Sequence, residues 1–145
     1  MTSVFTRIIE GELPGRFAYA DDQCVVIATI EPIVDGHMLV IPRTPVADFV
    51  DADDAVLGHL ICVAKRIGLA QQQAYPGTRA ALIIAGFDVP HLHLHVFPAR
   101  DQKAMTFARA HTVPDESLDA ACAAVRSGLQ AIGYGQYVPA SMTRL

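Results

Sequence analysis

Within the stretch VPHLHLHVFP, residues 89–98, His91, His93 and His95 alternate with Leu92, Leu94 and Val96. Successive side chains of a strand point to opposite faces, so the three imidazoles share one face and the three aliphatics the other. A helix would scatter them, because positions two apart lie about 200° around its circumference. The segment therefore predicts a strand over 89–98, its aliphatic face on the core and its imidazoles lining a cleft. Rings this close hold down one another's pKa, so at neutral pH the cluster is mostly uncharged.

The rest of the chain supplies a sheet for that strand to join. VFTRIIE, residues 4–10, predicts a short helix closed by Gly11 and Pro14. Strands are expected over 16–20 and 24–30, divided by the Asp21–Asp22 turn, and over 38–42, where MLVIP ends at its proline. Val56, Leu60, Val63 and Ile67 then recur at helical spacing, predicting a helix over 53–74 with Asp53 as its N-cap. A strand over 79–85 follows. Residues 99–113 show no period, and Leu118, Cys122, Val125 and Leu129 mark a last helix over 115–132, ahead of a YVPASMTRL tail. Strands with two packing helices, and no regular βαβ alternation, predict an α+β fold with an antiparallel sheet of about five strands.

A chain of 145 residues that is 52% hydrophobic and 18% charged reads as one globular domain, 1–145. A net charge of −4 speaks against a nucleic-acid backbone binder but not against a small phosphorylated ligand. No apolar run approaches the ~18 residues of a membrane span, and MTSVFTRIIEGELPG lacks the layout of a secretion signal. Cys24, Cys62 and Cys122 are far apart and form no C-x-x-C pair. They read as reduced, mostly buried thiols of a cytoplasmic protein.

Three readings of the histidine strand compete. One is a set of histidines on a wet sheet face, ordinary for a single residue but weak for three in strict alternation. A second is a metal site, since imidazoles two apart on a strand are real zinc-ligand geometry, although spacing supplies no further ligand. The third is nucleophilic catalysis on phosphorus, in which one ring attacks and its neighbours manage proton and charge.

The triplet, the preceding AGF and the upstream GHMLVIPR of residues 36–43 together resemble the histidine triad (HIT) family of nucleotide hydrolases and transferases. FTRIIEGELPGRFAYADD, residues 5–22, is similar to the family's amino-terminal segment, so the resemblance spans most of 5–98; the helix and tail of 114–145 are compatible with it. It implies a HIT-like fold and a homodimer whose sheets join across the interface. It also implies a phosphohydrolase, phosphoramidase or nucleotidyltransferase acting at the α-phosphate of a small nucleotide. His93, the middle histidine, would attack and form a covalent nucleotidyl-imidazole. His95 would donate to the phosphoryl oxygens, His91 would orient the cluster with its main chain fixing the tautomer of His93, and His37 would support the site beside the α-phosphate. Val4, Phe5, Ile8 and Ile27 match the apolar slot for the base, with Thr29, Gly86 and Asp88 on the ligand side.

Several positions depart from the family pattern. Some members hold zinc through an early C-x-x-C pair and a later histidine; here those positions are Ser3, Thr6 and Pro45, so neither metal nor other cofactor is expected. The family's ribose-binding carboxylate aligns with Thr29, and its Gly-Gln step before the triad is Gly86–Phe87. A hydroxyl residue facing the phosphates is replaced by Asp88, whose charge would repel a polyphosphate. These changes keep alive a nucleotide-binding or partner-binding module with little turnover, and less strongly a metal-dependent enzyme that uses the triplet as ligands. Arg43, Arg100 and Lys103 are candidate phosphate contacts for which plain exposure is the simpler reading. His59 reads as structural, His111 as solvent-exposed, and Asp51, Asp53 and Asp54 as complements to a helix dipole.

Overall fold

Val25, Val26 and Ile27 are β-branched at consecutive positions, which suits a strand buried on both faces. They occupy β2 (Cys24–Ala28), near the middle of the sheet. The structure, a computed structural model, describes residues 2–145; Met1, first residue of the expected 1–145 domain, lies outside them. In chain order the elements are α1 (Val4–Ile9), β1 (Phe17–Ala20), β2, β3 (Met38–Pro42), α2 (Asp54–Ala74), β4 (Arg79–Ile84), β5 (Leu94–Ala99) and α3 (Asp115–Ala131). The strands form one antiparallel sheet in the order β1-β2-β3-β5-β4. The expected architecture, five strands with two main helices, is the one observed.

Register assigns the two faces of the sheet. Val40 pairs with Leu94 and Met38 with Val96, and these four side chains turn toward the helices. There they join Leu60, Val63 and Ile67 of α2 and Cys122, Val125 and Leu129 of α3 in the main core. Each such fully buried aliphatic stabilises the fold by about 1.5–3 kcal/mol. The two helices meet at Gly128, where a Cβ would lie 2.5 Å from the carbonyl oxygen of Ala70, so only glycine permits the approach. Leu39, paired with His95, belongs to the opposite face, which α1 partly covers through Phe5.

The two sheet edges differ. The carboxy-terminal tail closes the β1 edge: Phe17 donates its N–H to Met142, and Arg126 reaches the carbonyls of Phe17 and Pro139. β4, at the other edge, is exposed along much of its length.

One expectation is corrected and another refined. The histidine strand begins at Leu94 rather than 89, because the main-chain N–H groups of His91 and Leu92 bond to Val89 and Val46 instead of a ladder partner. Asp53 occupies the N-cap position of α2 as expected, but without the side-chain hydrogen bond that such a cap usually makes. Other boundaries shift by one or two residues. The aperiodic stretch 99–113 contains two 3-10 turns, Gln102–Ala104 and Phe107–Arg109.

Candidate active site

The four histidines of the GHMLVIPR and VPHLHLHVFP segments gather at the face of the sheet away from α2 and α3. His37 stands just ahead of β3 and His95 on β5, and their rings face each other with centroids 5.2 Å apart. The His93 and His95 rings are 4.8 Å apart, so upstream of β5 the extended chain keeps the alternation that a strand would impose. His91 is fully buried, His93 and His37 are nearly so, and His95 is half-buried.

Hydrogen bonds fix where each proton sits. Nδ1 of His93 lies 2.7 Å from the carbonyl oxygen of His91, an acceptor, so Nδ1 carries the hydrogen and a neutral His93 keeps its lone pair on Nε2. The main-chain N–H of Ile33 donates to Nδ1 of His37 at 3.0 Å, which leaves the hydrogen of His37 on Nε2. That hydrogen points at Nδ1 of His95, 3.0 Å away, so a neutral His95 carries its own hydrogen on Nε2. The chain Ile33–His37–His95 thus delivers a donor beside a ring whose outer nitrogen is an acceptor. His91 is closed off: its Nε2 donates to the Pro42 carbonyl at 2.8 Å, and Ser3 Oγ donates to its Nδ1 at 2.5 Å.

Burial disfavours the charged form of all four rings. It pushes His37 down to about 3, helped by the neighbouring His95, and His95 down to about 4, helped by His93. The same desolvation lowers His91 and His93, partly offset by their hydrogen bonds to the carbonyls of Pro42 and His91. At neutral pH the cluster is uncharged, as the sequence predicts, and what faces solvent is one acceptor and one donor.

A family model described as HIT domain matches residues 10–102 of the chain. The protein belongs to the HIT-domain family. An uncharacterized HIT-like protein of Synechococcus elongatus is 35% identical over 104 residues, spanning 68% of this chain and 90% of that protein. The crystal structure of a Zn-bound histidine triad family protein from Mycobacterium smegmatis matches with a TM-score of 0.80 at 27% identity, covering 93% of this HIT chain and 98% of that one. A hypothetical histidine triad nucleotide-binding protein from Sulfolobus tokodaii matches with a TM-score of 0.77 at 26% identity, covering 88% and 92% of the two chains.

The other sequence candidates divide into those this HIT fold brings to the histidines and those it does not. Phe5 is buried with its ring 4.8 Å from His93, and Ile27 lies in the same apolar cluster with Leu39. Ile8 packs at the margin of that cluster, while Val4 is 40% exposed. Thr29 sits beside His37, donating its N–H to that residue's carbonyl. Gly86 lies in the turn after β4, and Asp88 is exposed near enough for its charge to act on His93. Arg43 instead bonds to the carbonyl of Asp21, and Arg100 to that of Pro76. His111 is exposed and donates to Arg109.

Sequence reasoning missed Phe107, whose ring stands edge-on to His95 at 4.8 Å. It comes from the aperiodic stretch, where no spacing marks it. Ser3, read only as a missing zinc ligand, is both the N-cap of α1 and the partner of His91.

Metal fits poorly at the positions where the family implies it. Ser3 and Thr6 offer hydroxyls already engaged with each other and with His91, and Pro45 has no donor, so zinc ligation by thiolate and imidazole is not reproduced. His91 has no nitrogen to offer an ion, because both of its ring nitrogens are already hydrogen-bonded, so the triplet as it stands cannot supply three imidazole ligands. Among the described residues the ligand-type atoms close enough to share a cation are those of Asp21, Cys24 and His59. His59 donates to Asp21 at 2.7 Å, Tyr19 also donates to that carboxylate, and Arg43 and Arg66 bring positive charge nearby. That grouping is a closed polar network, which accounts for His59 as a structural residue. Cys24 and Cys122 are buried and Cys62 is exposed, all three as free thiols.

Proposed function

We propose that the protein transfers or hydrolyses nucleotidyl groups, with Nε2 of His93 as the nucleophile. The observation that carries this reading is the 2.7 Å bond from His93 Nδ1 to the His91 carbonyl, which leaves a lone pair on the outward nitrogen. In the first step Nε2 forms a bond to the α-phosphorus of a nucleotide derivative, and the bond from phosphorus to its amine, phosphate or nucleotide substituent breaks. The departing group takes its proton from solvent, while the Nε2–H of the neutral His95 donates to a phosphoryl oxygen and stabilises developing charge. In the second step the oxygen of water or another acceptor bonds to phosphorus and displaces His93, and its proton passes to solvent. His93 returns to its starting tautomer and His95 keeps its Nε2 hydrogen throughout. Phe5 and Ile27 give an apolar wall for the base, and the nucleotide-binding name of the Sulfolobus relative supports the ligand class. Phosphoryl transfer depends mainly on positioning and electrostatics, which the described residues can supply.

The test is to incubate wild type and His93→Ala with nucleoside phosphoramidates and dinucleoside polyphosphates, and to look by mass spectrometry for a trapped nucleotidyl adduct. Adduct and turnover are expected from wild type only; equal turnover by both proteins would refute the nucleophile. A second reading, a nucleotide-binding module with little turnover, is favoured by the Asp88 charge acting on His93 and by Phe87, 95% exposed beside it. An inert wild type that binds nucleotide would promote it.

A further inference from the structure

Gln71 of α2 is fully buried beneath the sheet and spends both donor hydrogens on main-chain carbonyls. Its Nε2 lies 2.8 Å from the oxygen of Gly36 and 2.8 Å from that of Val96. Gly36 precedes His37 and Val96 follows His95, the two residues joined ring to ring at 3.0 Å. One side chain therefore grips the backbone immediately beside each partner of that hydrogen bond. The amide has one workable orientation, since exchanging its ends would set Oε1 against two carbonyl oxygens.

Oε1 itself is buried and has no partner among the described residues. A buried acceptor without a donor is unfavourable, and a methionine or leucine of similar size would fill the space without that cost. Packing alone does not account for glutamine here. Tyr75, four residues on and just past the end of α2, presses on the same corner: a Cβ added at Gly36 would stand 2.5 Å from its Cε2. The end of α2 thus holds the Gly36–His37 corner at two points, from the side of the sheet opposite the imidazoles.

We infer that Gln71 is a positioning residue for the His37–His95 pair, holding the two strands at the separation that keeps the His95 hydrogen on Nε2. This deepens the nucleotidyl-transfer reading and rests on it for its catalytic meaning, while the geometric part can be measured on the resting protein.

The test compares wild type, Gln71→Met and Val63→Ala by long-range 1H–15N spectra of the imidazoles and by steady-state kinetics on a nucleoside phosphoramidate. Val63 is a fully buried α2 residue that serves as a control for simple loss of packing. Wild type should show single tautomers with Nδ1 unprotonated in both His37 and His95. In Gln71→Met those signals should average toward mixed tautomers, kcat should fall about tenfold with KM changed by less than about twofold, and the acid limb of the rate profile should move. Val63→Ala should lose thermal stability with the spectra and the limb unchanged. Identical spectra in wild type and Gln71→Met, or the same change in Val63→Ala, would overturn the inference. Gln71→Asn, which keeps the amide but is one methylene short, replaces Gln71→Met if the latter does not fold. A wild type without turnover would count against the enzymatic reading alone, because the spectra would still decide the clamp.

Discussion

Ser3 donates its hydroxyl hydrogen to Nδ1 of His91 across 2.5 Å, joining residues 88 apart in the chain. The same oxygen accepts the N–H of Thr6 and so caps α1, the helix that carries Phe5 to the His93 ring. Ser3→Ala removes the cap, worth about 0.5–2 kcal/mol, and leaves a buried imidazole nitrogen without its donor, worth about 1–3 kcal/mol. Loss of about 2 kcal/mol in urea unfolding is expected; a midpoint equal to wild type would show that the bond contributes nothing.

Stability should fall as pH drops below neutrality. Folding holds His37 down to about 3 and His95 down to about 4, from an ordinary value of 6.5. Both groups therefore bind protons more readily when unfolded, so their contribution is fully present above pH 6.5 and is lost as pH falls toward their folded values. The slope for one such ring is at most about 1.4 kcal/mol per pH unit, less when two neighbours are coupled. Calorimetry from pH 7.5 to 4.5 should show a declining transition temperature, recovered in part by His37→Gln. A flat profile would mean that the rings are not desolvated.

Gly36 has φ of +86° and stands against Tyr75, so its two constraints can be separated. Gly36→Ala should destabilise by about 2 kcal/mol or more, through backbone strain together with the steric clash. Adding Tyr75→Ala should relieve the clash and leave the strain, so the double variant's loss should be smaller than the sum of the two single losses. Strict additivity in denaturant unfolding would show that the contact is not the obstacle.

Asp88 places a negative charge where a nucleotide would bring more of the same sign. Asp88→Asn should tighten nucleotide binding by about two- to fivefold at low ionic strength, with the advantage shrinking as salt rises. Titration calorimetry at two salt concentrations checks both parts; equal affinities at low salt would place the carboxylate away from the ligand.

The open β4 edge suits the homodimer that the family resemblance implies, because the tail already occupies the β1 edge. Leu82 on β4 and Leu69 on α2 are each 41% exposed and add apolar surface on that side. Light scattering should give the mass of a dimer for wild type and of a monomer for Leu82→Lys. A wild-type monomer at micromolar concentration would remove the proposal.

Period alone made most of the fold legible. Leu92, Leu94 and Val96 could face nothing but the helices once His91, His93 and His95 were turned the other way, and the four-three-four spacing in α2 and α3 named the residues that meet them. What period could not locate was where β5 starts, since that depends on whether Leu92 finds a ladder partner or, as observed, the carbonyl of Val46. The histidines were visible as a group for the same local reason. Their proton positions were not, because each is set by a group remote in sequence or by the main chain: Ile33 for His37, His37 for His95, a carbonyl for His93. Phe107 and Gln71 lay outside any pattern, one in an aperiodic loop and one on a helix face that reads as ordinary core. Alternation is a property of neighbouring residues and is written in the chain; hydrogen-bond direction and shared burial belong to pairs that only folding brings together.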